Sequence, residues 1–217
     1  MTIDDGGSFG GSGGGGVRLG RKIDPQYENP FDEALLLVIE AISPALKATG
    51  HTPNVLTLYS GILGVGAVWA LWHRKLAAFA VLYIASYFFD CADGYFARRY
   101  DMVTELGDKL DHGKDALVAL ALVGVLIVKY QLPFWAWLVL GALLLAMVSH
   151  LGCQQKAYVS NNRPPSDPPE SMDVYRGLCP SADGETGMRM TRWVGVGTMQ
   201  LAFVALVLLT SRTRVVA

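Results

Sequence analysis

The chain is short of charge. Asp, Glu, Lys and Arg make up 17% of its 217 residues, against roughly 25% in a soluble domain, so a freely soluble globule is not expected. Cysteine is scarce too. Cys91, Cys153 and Cys179 form an odd, widely spaced set without a CxxC pair, which argues against a disulfide framework or a structural zinc site. Cys91 reads as a small apolar packing residue. The histidines, His51, His73, His112 and His150, are dispersed and include no HExxH pair. A net charge of −1 gives no ground for a nucleic-acid partner. No basic start followed at once by an apolar run is visible, so no signal peptide is expected, and no internal repeat stands out.

What the chain has in quantity is apolar residues, 52% of the total, gathered in blocks. A helical span needs about 20 of them, because each residue rises ~1.5 Å against a hydrocarbon core of ~30 Å. Five blocks qualify: about Val55 to Trp72, Leu76 to Phe89 with a helical continuation to Arg99, Gly107 to Val128, Phe134 to Leu151, and Trp193 to Thr210. The expected fold is therefore all-α, a polytopic membrane helix bundle with five transmembrane helices. Ahead of it, Asn29-Pro30 is a cap followed by a first-turn proline. Phe31, Leu35, Val38, Ile39 and Ile42 follow at helical spacing, with Asp32, Glu33 and Glu40 on other faces. That segment is too short and too acidic to span, and reads as an amphipathic helix on the membrane surface or one packed on the body of the protein. The domain reading follows: 1–28 a Gly-rich tail with nothing to bury, 29–50 the interfacial helix, 51–212 the transmembrane domain, and 213–217 a short tail. The stretch between the last two spans, with Pro164-Pro165, Pro168-Pro169 and Gly184, reads as a loop.

Basic residues are unevenly shared between the two sides of such a bundle. The side holding the N-terminus, the second-to-third connection and the long loop carries Arg21, Lys22, Arg98, Arg99, Lys109, Lys114, Lys156, Arg163, Arg189 and Arg192, among others. The other side has Arg74, Lys75, Lys129, Arg212 and Arg214. That asymmetry assigns the first side to the cytosol.

Chemistry concentrates on that side. Asp90 and Asp93 stand three apart, Asp111 and Asp115 four apart, so on helices each pair shares a face one turn apart. The short connection between the helices suggests antiparallel neighbours whose acidic faces meet. Four carboxylates near a bilayer repel one another and are costly unless paired or hydrated. A divalent cation removes that cost, and hard oxygen ligands suit Mg²⁺ or Mn²⁺. Gly94 and Gly107 would let a base or a phosphate approach the backbone, Ala97 keeps the same face low, and Arg98 offers a fork of donors to phosphate oxygens. Any one of these acids could be a solvated partner of Arg98, Arg99, Lys109 or Lys114, but the whole set at these spacings points to a diphosphate site. His112 and Asp108 are candidates to support the metal ligands from behind, Asp108 through a water, and Asp101 and Glu105 read as a solvated face.

The run Asp90-x2-Asp93-Gly94-x2-Ala97-Arg98-x8-Gly107-x3-Asp111-x3-Asp115 resembles the signature of the CDP-alcohol phosphotransferase family at every fixed position. With the spans around it and the Thr52-Pro53-Asn54 stretch, the resemblance reaches from about residue 50 to 150. It implies metal ligation by Asp90, Asp93 and Asp111, with Asp115 at the metal and acting as general base. Asn54, Asp93, Gly94, Ala97, Arg98 and Gly107 would receive the CDP group. The implied reaction passes a substituted phosphate from a CDP-linked donor to an acceptor hydroxyl and releases CMP. A homodimer is implied as well, and for a eukaryotic chain the expected setting is an endomembrane of the endoplasmic-reticulum type. Members usually have six spans, so either one is missing here or the Phe31–Ile42 segment is more deeply buried. Asp111-His112-Gly113-Lys114-Asp115 and Ser60-Gly61 look like the subclass that moves choline or ethanolamine phosphate onto diacylglycerol. The alternative is a CDP-diacylglycerol enzyme acting on inositol, serine or glycerol phosphate, in which Lys156, Arg189 and Arg192 could hold an acceptor phosphate. Intramembrane acids also mark ion-coupled transporters, a different class that would not need Arg98, Gly94 and Gly107 at these gaps.

Overall fold

The computed structural model describes residues 19–161, 163, 166 and 168–212. The expected tails at 1–18 and 213–217 lie outside the described residues, as does the Pro164-Pro165 turn. Seven α-helices run in order: α1 (Pro30–Ala48), α2 (Pro53–Trp72), α3 (Leu76–Arg99), α4 (Glu105–Val125), α5 (Phe134–Asn161), α6 (Gly184–Thr191) and α7 (Val196–Arg212). The described residues contain no strand, and the all-α expectation holds.

Among the described residues, four stretches are long and apolar enough to cross a membrane: Pro53–Trp72, Leu76–Arg99, Phe134–Asn161 and Gly184–Thr210. Expected span three is not among them. Glu105, Asp108, Lys109, Asp111, Lys114 and Asp115 crowd the first half of α4, and only its second half is apolar throughout. Large apolar side chains cover the outer faces of the bundle: Leu58, Ile62 and Val65 on α2, Leu117 and Leu120 on α4, Phe134, Leu138 and Leu145 on α5. Water would not tolerate so continuous an apolar surface, and these are the faces of an integral membrane protein. At the end remote from the acidic residues, Lys75 stands over Trp69 and Lys129 over Trp72, an arrangement suited to a membrane–water interface.

The bundle is organised around α2. Its buried face reads Leu56, Ser60, Gly64, Ala67 and Leu71, one small or aliphatic residue per turn, which lets neighbouring backbones approach closely. Both α3 and α4 pack on it. The close packing therefore runs through α2 rather than directly between α3 and α4, and the two acidic faces look across an opening instead of lying in contact. Away from the acidic end, Ala70 and Leu71 of α2, Phe79 of α3, Leu122 and Val125 of α4 and Val207 of α7 close the core.

Asn29 caps α1 as expected, accepting from Phe31 N at 3.1 Å. Its amide also donates to Arg192 O and Thr198 Oγ1, both at 2.7 Å, tying the start of α1 to the start of α7. Leu36 and Ile39 of α1 pack with Ala92, Tyr95 and Phe96 of α3, so the body of the protein holds one face of this helix.

Two expectations fail. Cys153 and Cys179 are disulfide-bonded, with Cα atoms 4.6 Å apart. Spacing alone could not show this, because the partners meet only when the chain after α5 folds back. The supposed loop is also largely helical: a 3-10 segment (Ser171–Leu178) packs along α5, and α6 follows it. Its prolines precede that structure rather than preventing it. Cys91 alone of the three is free.

Candidate active site

The opening between α3 and α4 is a cavity of about 670 Å³. Asp90 and Asp93 enter it from the last turns of α3, and Asp111 and Asp115 from the early turns of α4. Thr104 sets the register of α4 by capping it, its hydroxyl accepting from Gly107 N at 3.1 Å. One oxygen each from Asp90, Asp93 and Asp111 lie within 4.8 Å of one another. Asp115 is outside that trio and half-exposed to the cavity, and its Oδ1 lies 2.9 Å from Lys114 Nζ.

The donor set fits a divalent ion. Three carboxylates, one of them fully buried, offer hard oxygens at close range, the ligand chemistry of Mg²⁺ or Mn²⁺ and not of a soft metal. Asp93 is oriented by Thr57 of α2, whose hydroxyl donates to Asp93 Oδ2 at 2.6 Å. Lys114 donates to Asp90, to Asp111 Oδ1 at 3.0 Å and to Ser60 Oγ at 2.9 Å.

All six residues expected to receive the nucleotide, Asn54, Asp93, Gly94, Ala97, Arg98 and Gly107, line this cavity. A Cβ on Gly107 would stand 2.9 Å from Thr104 Oγ1 and 3.4 Å from Asn54 Oδ1, so only glycine leaves both side chains where they are. Arg98 donates from Nε to Gly20 O at 3.1 Å, and its outer nitrogens lie beside Gly94. His112 and Asp108 line the wall as well. Asp108 is engaged by the far segment: Ser171 donates to its Oδ2 through both backbone N, at 2.7 Å, and hydroxyl. His112 Nδ1 stands 2.8 Å from Asp108 O. Glu105 pairs with Lys109 at the surface and Asp101 lies exposed in the turn, both as expected.

Several wall residues escaped the sequence reading. Thr57 follows Asn54 three residues on, on the same face of α2, and Ser60, which the sequence offered only with Gly61 as a mark of the subclass, stands one step further. Lys22 and Glu170 had no such signal. They meet at 2.7 Å across 148 positions and, with Pro168, Pro169, Met172 and Tyr175, cap the cavity mouth. Gln155 of α5 donates to both Glu170 and Asp173, each at 3.0 Å, and the Cys153–Cys179 bond anchors the end of the same cap. The Lys22 pair holds the Glu170 carboxyl below its ordinary range, against the opposing pull of its burial. Part of the wall is apolar, with Leu144, Met147, Val148 and Leu151 of α5 and Val196. Lys156, Arg189 and Arg192 are elsewhere, donating to Ser181 O, Tyr27 Oη and Gln26 O.

The cavity thus has a carboxylate floor with a neighbouring guanidinium, an apolar flank and a polar cap. The family model described as CDP-alcohol phosphatidyltransferase matches residues 50–163. Neither the curated proteins nor the solved structures contain a match to the chain.

Proposed function

Because the chain belongs to the CDP-alcohol phosphatidyltransferase family, a family of phospholipid head-group transferases, we propose that this cavity transfers a substituted phosphate from a CDP-linked donor to an acceptor hydroxyl. The observation that carries the reading is the convergence of Asp90, Asp93 and Asp111 within 4.8 Å, beside Asp115 and the six nucleotide-receiving positions. Asp90, Asp93 and Asp111 would hold Mg²⁺ or Mn²⁺. When bound, such an ion neutralises the diphosphate and the departing nucleotide.

The remaining roles belong to side chains. Arg98 binds phosphate oxygens, while Asn54 and the bare backbone at Gly94 and Gly107 admit the nucleotide. Asp115, half-exposed to the cavity, takes the proton of the acceptor hydroxyl. The hydroxyl oxygen bonds to the β-phosphorus, the bond from that phosphorus to the bridging oxygen breaks, and CMP leaves with the electron pair. No covalent enzyme intermediate is needed.

For the substrate, the apolar part of the wall suits a lipid hydroxyl. The three cations that could have received a phosphorylated alcohol are occupied outside the cavity. Diacylglycerol accepting choline or ethanolamine phosphate is therefore our first reading, ahead of CDP-diacylglycerol with inositol, serine or glycerol phosphate. With α4 taken as a fifth span, the basic-residue asymmetry favours a site on the cytosolic face. The residues given roles here all belong to one chain.

The test is CMP release and labelled-lipid formation by detergent-solubilised protein with Mg²⁺ or Mn²⁺, run with each donor class in turn. Activity with CDP-choline or CDP-ethanolamine and diacylglycerol, abolished by EDTA and lowered about 10²- to 10⁴-fold by Asp115→Asn, is the expected result. Activity confined to CDP-diacylglycerol would reverse the substrate reading. Folded protein silent with every pairing would overturn the enzymatic one.

A further inference from the structure

Lys114 fills a position that the Asp111-x3-Asp115 spacing leaves open, and its surroundings are built for it. Its Nζ lies 2.9 Å from Ser60 Oγ, 3.0 Å from Asp111 Oδ1 and 2.9 Å from Asp115 Oδ1, with Asp90 Oδ1 closer still. Its stem crosses Gly61 of α2, where a Cβ would already stand 3.4 Å from Lys114 Cγ. Ser60-Gly61 is thus the seat of this side chain: one residue accepts from the ammonium and its methylenes lie against the next. The Lys114 side chain is 13% exposed, and the cavity wall is formed by the carboxylates and Ser60, with the lysine behind them.

Two clusters therefore share Asp90 and Asp111. One is the trio with Asp93, whose oxygens suit a divalent ion. The other is the trio with Asp115, whose Oδ1 atoms already converge on a cation. Lysine is a compact point charge with three donors and no acceptor; its three hydrogen bonds go to Ser60, Asp90 and Asp111, and Asp115 is held as an ion pair. A second divalent ion bound by Asp90, Asp111 and Asp115 would compete for the same oxygens and stand against a buried ammonium. Charge counting agrees: four carboxylates, one ammonium and one divalent ion leave a single negative charge, whereas a second ion would reverse the sign before any substrate arrives.

We propose that Lys114 is a resident cation that takes the place of a second metal ion, so that this chain holds one divalent ion, on Asp90, Asp93 and Asp111, while Lys114 positions Asp115. The inference rests on the metal reading of the site above. Lys114 is a positioning residue that touches the base and two ligands without meeting substrate.

The experiment is a Mn²⁺ titration of the full chain in detergent, followed by electron paramagnetic resonance. Wild type should saturate at one ion per chain with an isolated-ion spectrum. Lys114→Met should take up a second ion and show the spectrum of a spin-coupled pair, and Lys114→Arg, which keeps the charge, should stay at one. Two ions per wild-type chain, or a folded Lys114→Met still holding one, would overturn the proposal. Should Lys114→Met not fold, amine acylation of the wild type read by peptide mass spectrometry decides. Lys114 protected equally with and without saturating Mn²⁺ supports a resident cation, and labelling that rises several-fold with Mn²⁺ shows it displaced and overturns the idea. Wild type that binds no Mn²⁺ would instead remove the metal site itself, a failure distinct from that of Lys114.

Discussion

Thr57 and Glu28 show what single side chains outside the acidic signature do, one for this site and one for stability. Thr57 holds Asp93 in place from a neighbouring helix, the kind of outer contact that fixes the orientation of a metal ligand. Glu28 lies just before α1, 4% exposed. Burial, helped by the charge of Asp32 and opposed by Arg21 and Arg98, raises its carboxyl from about 4.5 to about 8. The folded pKa exceeds the unfolded one, so the folded state retains a proton that the unfolded chain releases. Stability from this group is complete below about pH 4.5 and is lost as pH rises through about 8. Glu28→Gln keeps the shape and removes the titration. We expect wild-type thermal stability to fall between pH 5 and 8 by on the order of a few kcal/mol more than that of the variant. Parallel melting curves across that range would show that Glu28 does not carry the effect.

At the level of elements, three helices stop in the same way, and one of the three stops was written in glycine. His51 N bonds Leu46 O and Gly50 N bonds Lys47 O at the end of α1. Lys75 N bonds Ala70 O at the end of α2, and Met102 N bonds Ala97 O at the end of α3. Each arrangement needs one left-handed residue after the helix, supplied by Gly50, Arg74 and Asp101. Tertiary packing imposes that conformation on the last two, which no local signal announced. Nothing stands within 4 Å of a Cβ placed at Gly50, so Gly50→Ala tests backbone strain alone. We expect a loss of about 1 kcal/mol in denaturant or thermal unfolding, and a variant as stable as wild type would mean the cap relaxes freely. α5 makes a related point. Its apolar run ends near Leu151, but the helix continues to Asn161 because Cys153, Ala157 and Tyr158 are buried beyond it.

For the whole molecule, the decisive feature is the cap that closes the cavity mouth. Residues 168–178 are held by Lys22–Glu170, by Asp108 with Ser171, by Gln155 and by the Cys153–Cys179 bond. The bond closes a loop across 26 positions, for which chain entropy predicts about 3 kcal/mol. The double variant Cys153→Ser with Cys179→Ser should unfold at lower temperature by that order, and wild type in reductant should match it. Identical melting of oxidised, reduced and variant protein would show that the cap stands without its staple. The bond lies at the basic-rich end that charge asymmetry assigns to the cytosol, where thiols are kept reduced. Maleimide labelling in quenched cells therefore reports the side as well: free thiols go with a cytosolic site, a protected pair with the opposite face.

By itself the sequence determined the chemistry and the setting: the carboxylates and glycines at fixed spacing, the apolar blocks, and the cap of α1. Those features are local, since one helical turn suffices to put Asp90 beside Asp93 or Asp111 near Asp115. Only the tertiary structure decided which surfaces complete the site. Lys114 could have been a solvated charge until Ser60 and Gly61 of another helix provided its seat. Cys153 could have been a packing residue until Cys179 folded back onto it. Lys22 and Glu170 meet across 148 positions, and the opening between α3 and α4 exists because α2 carries the packing of both. Such contacts are set by the geometry of the closed bundle, to which no stretch of the chain refers.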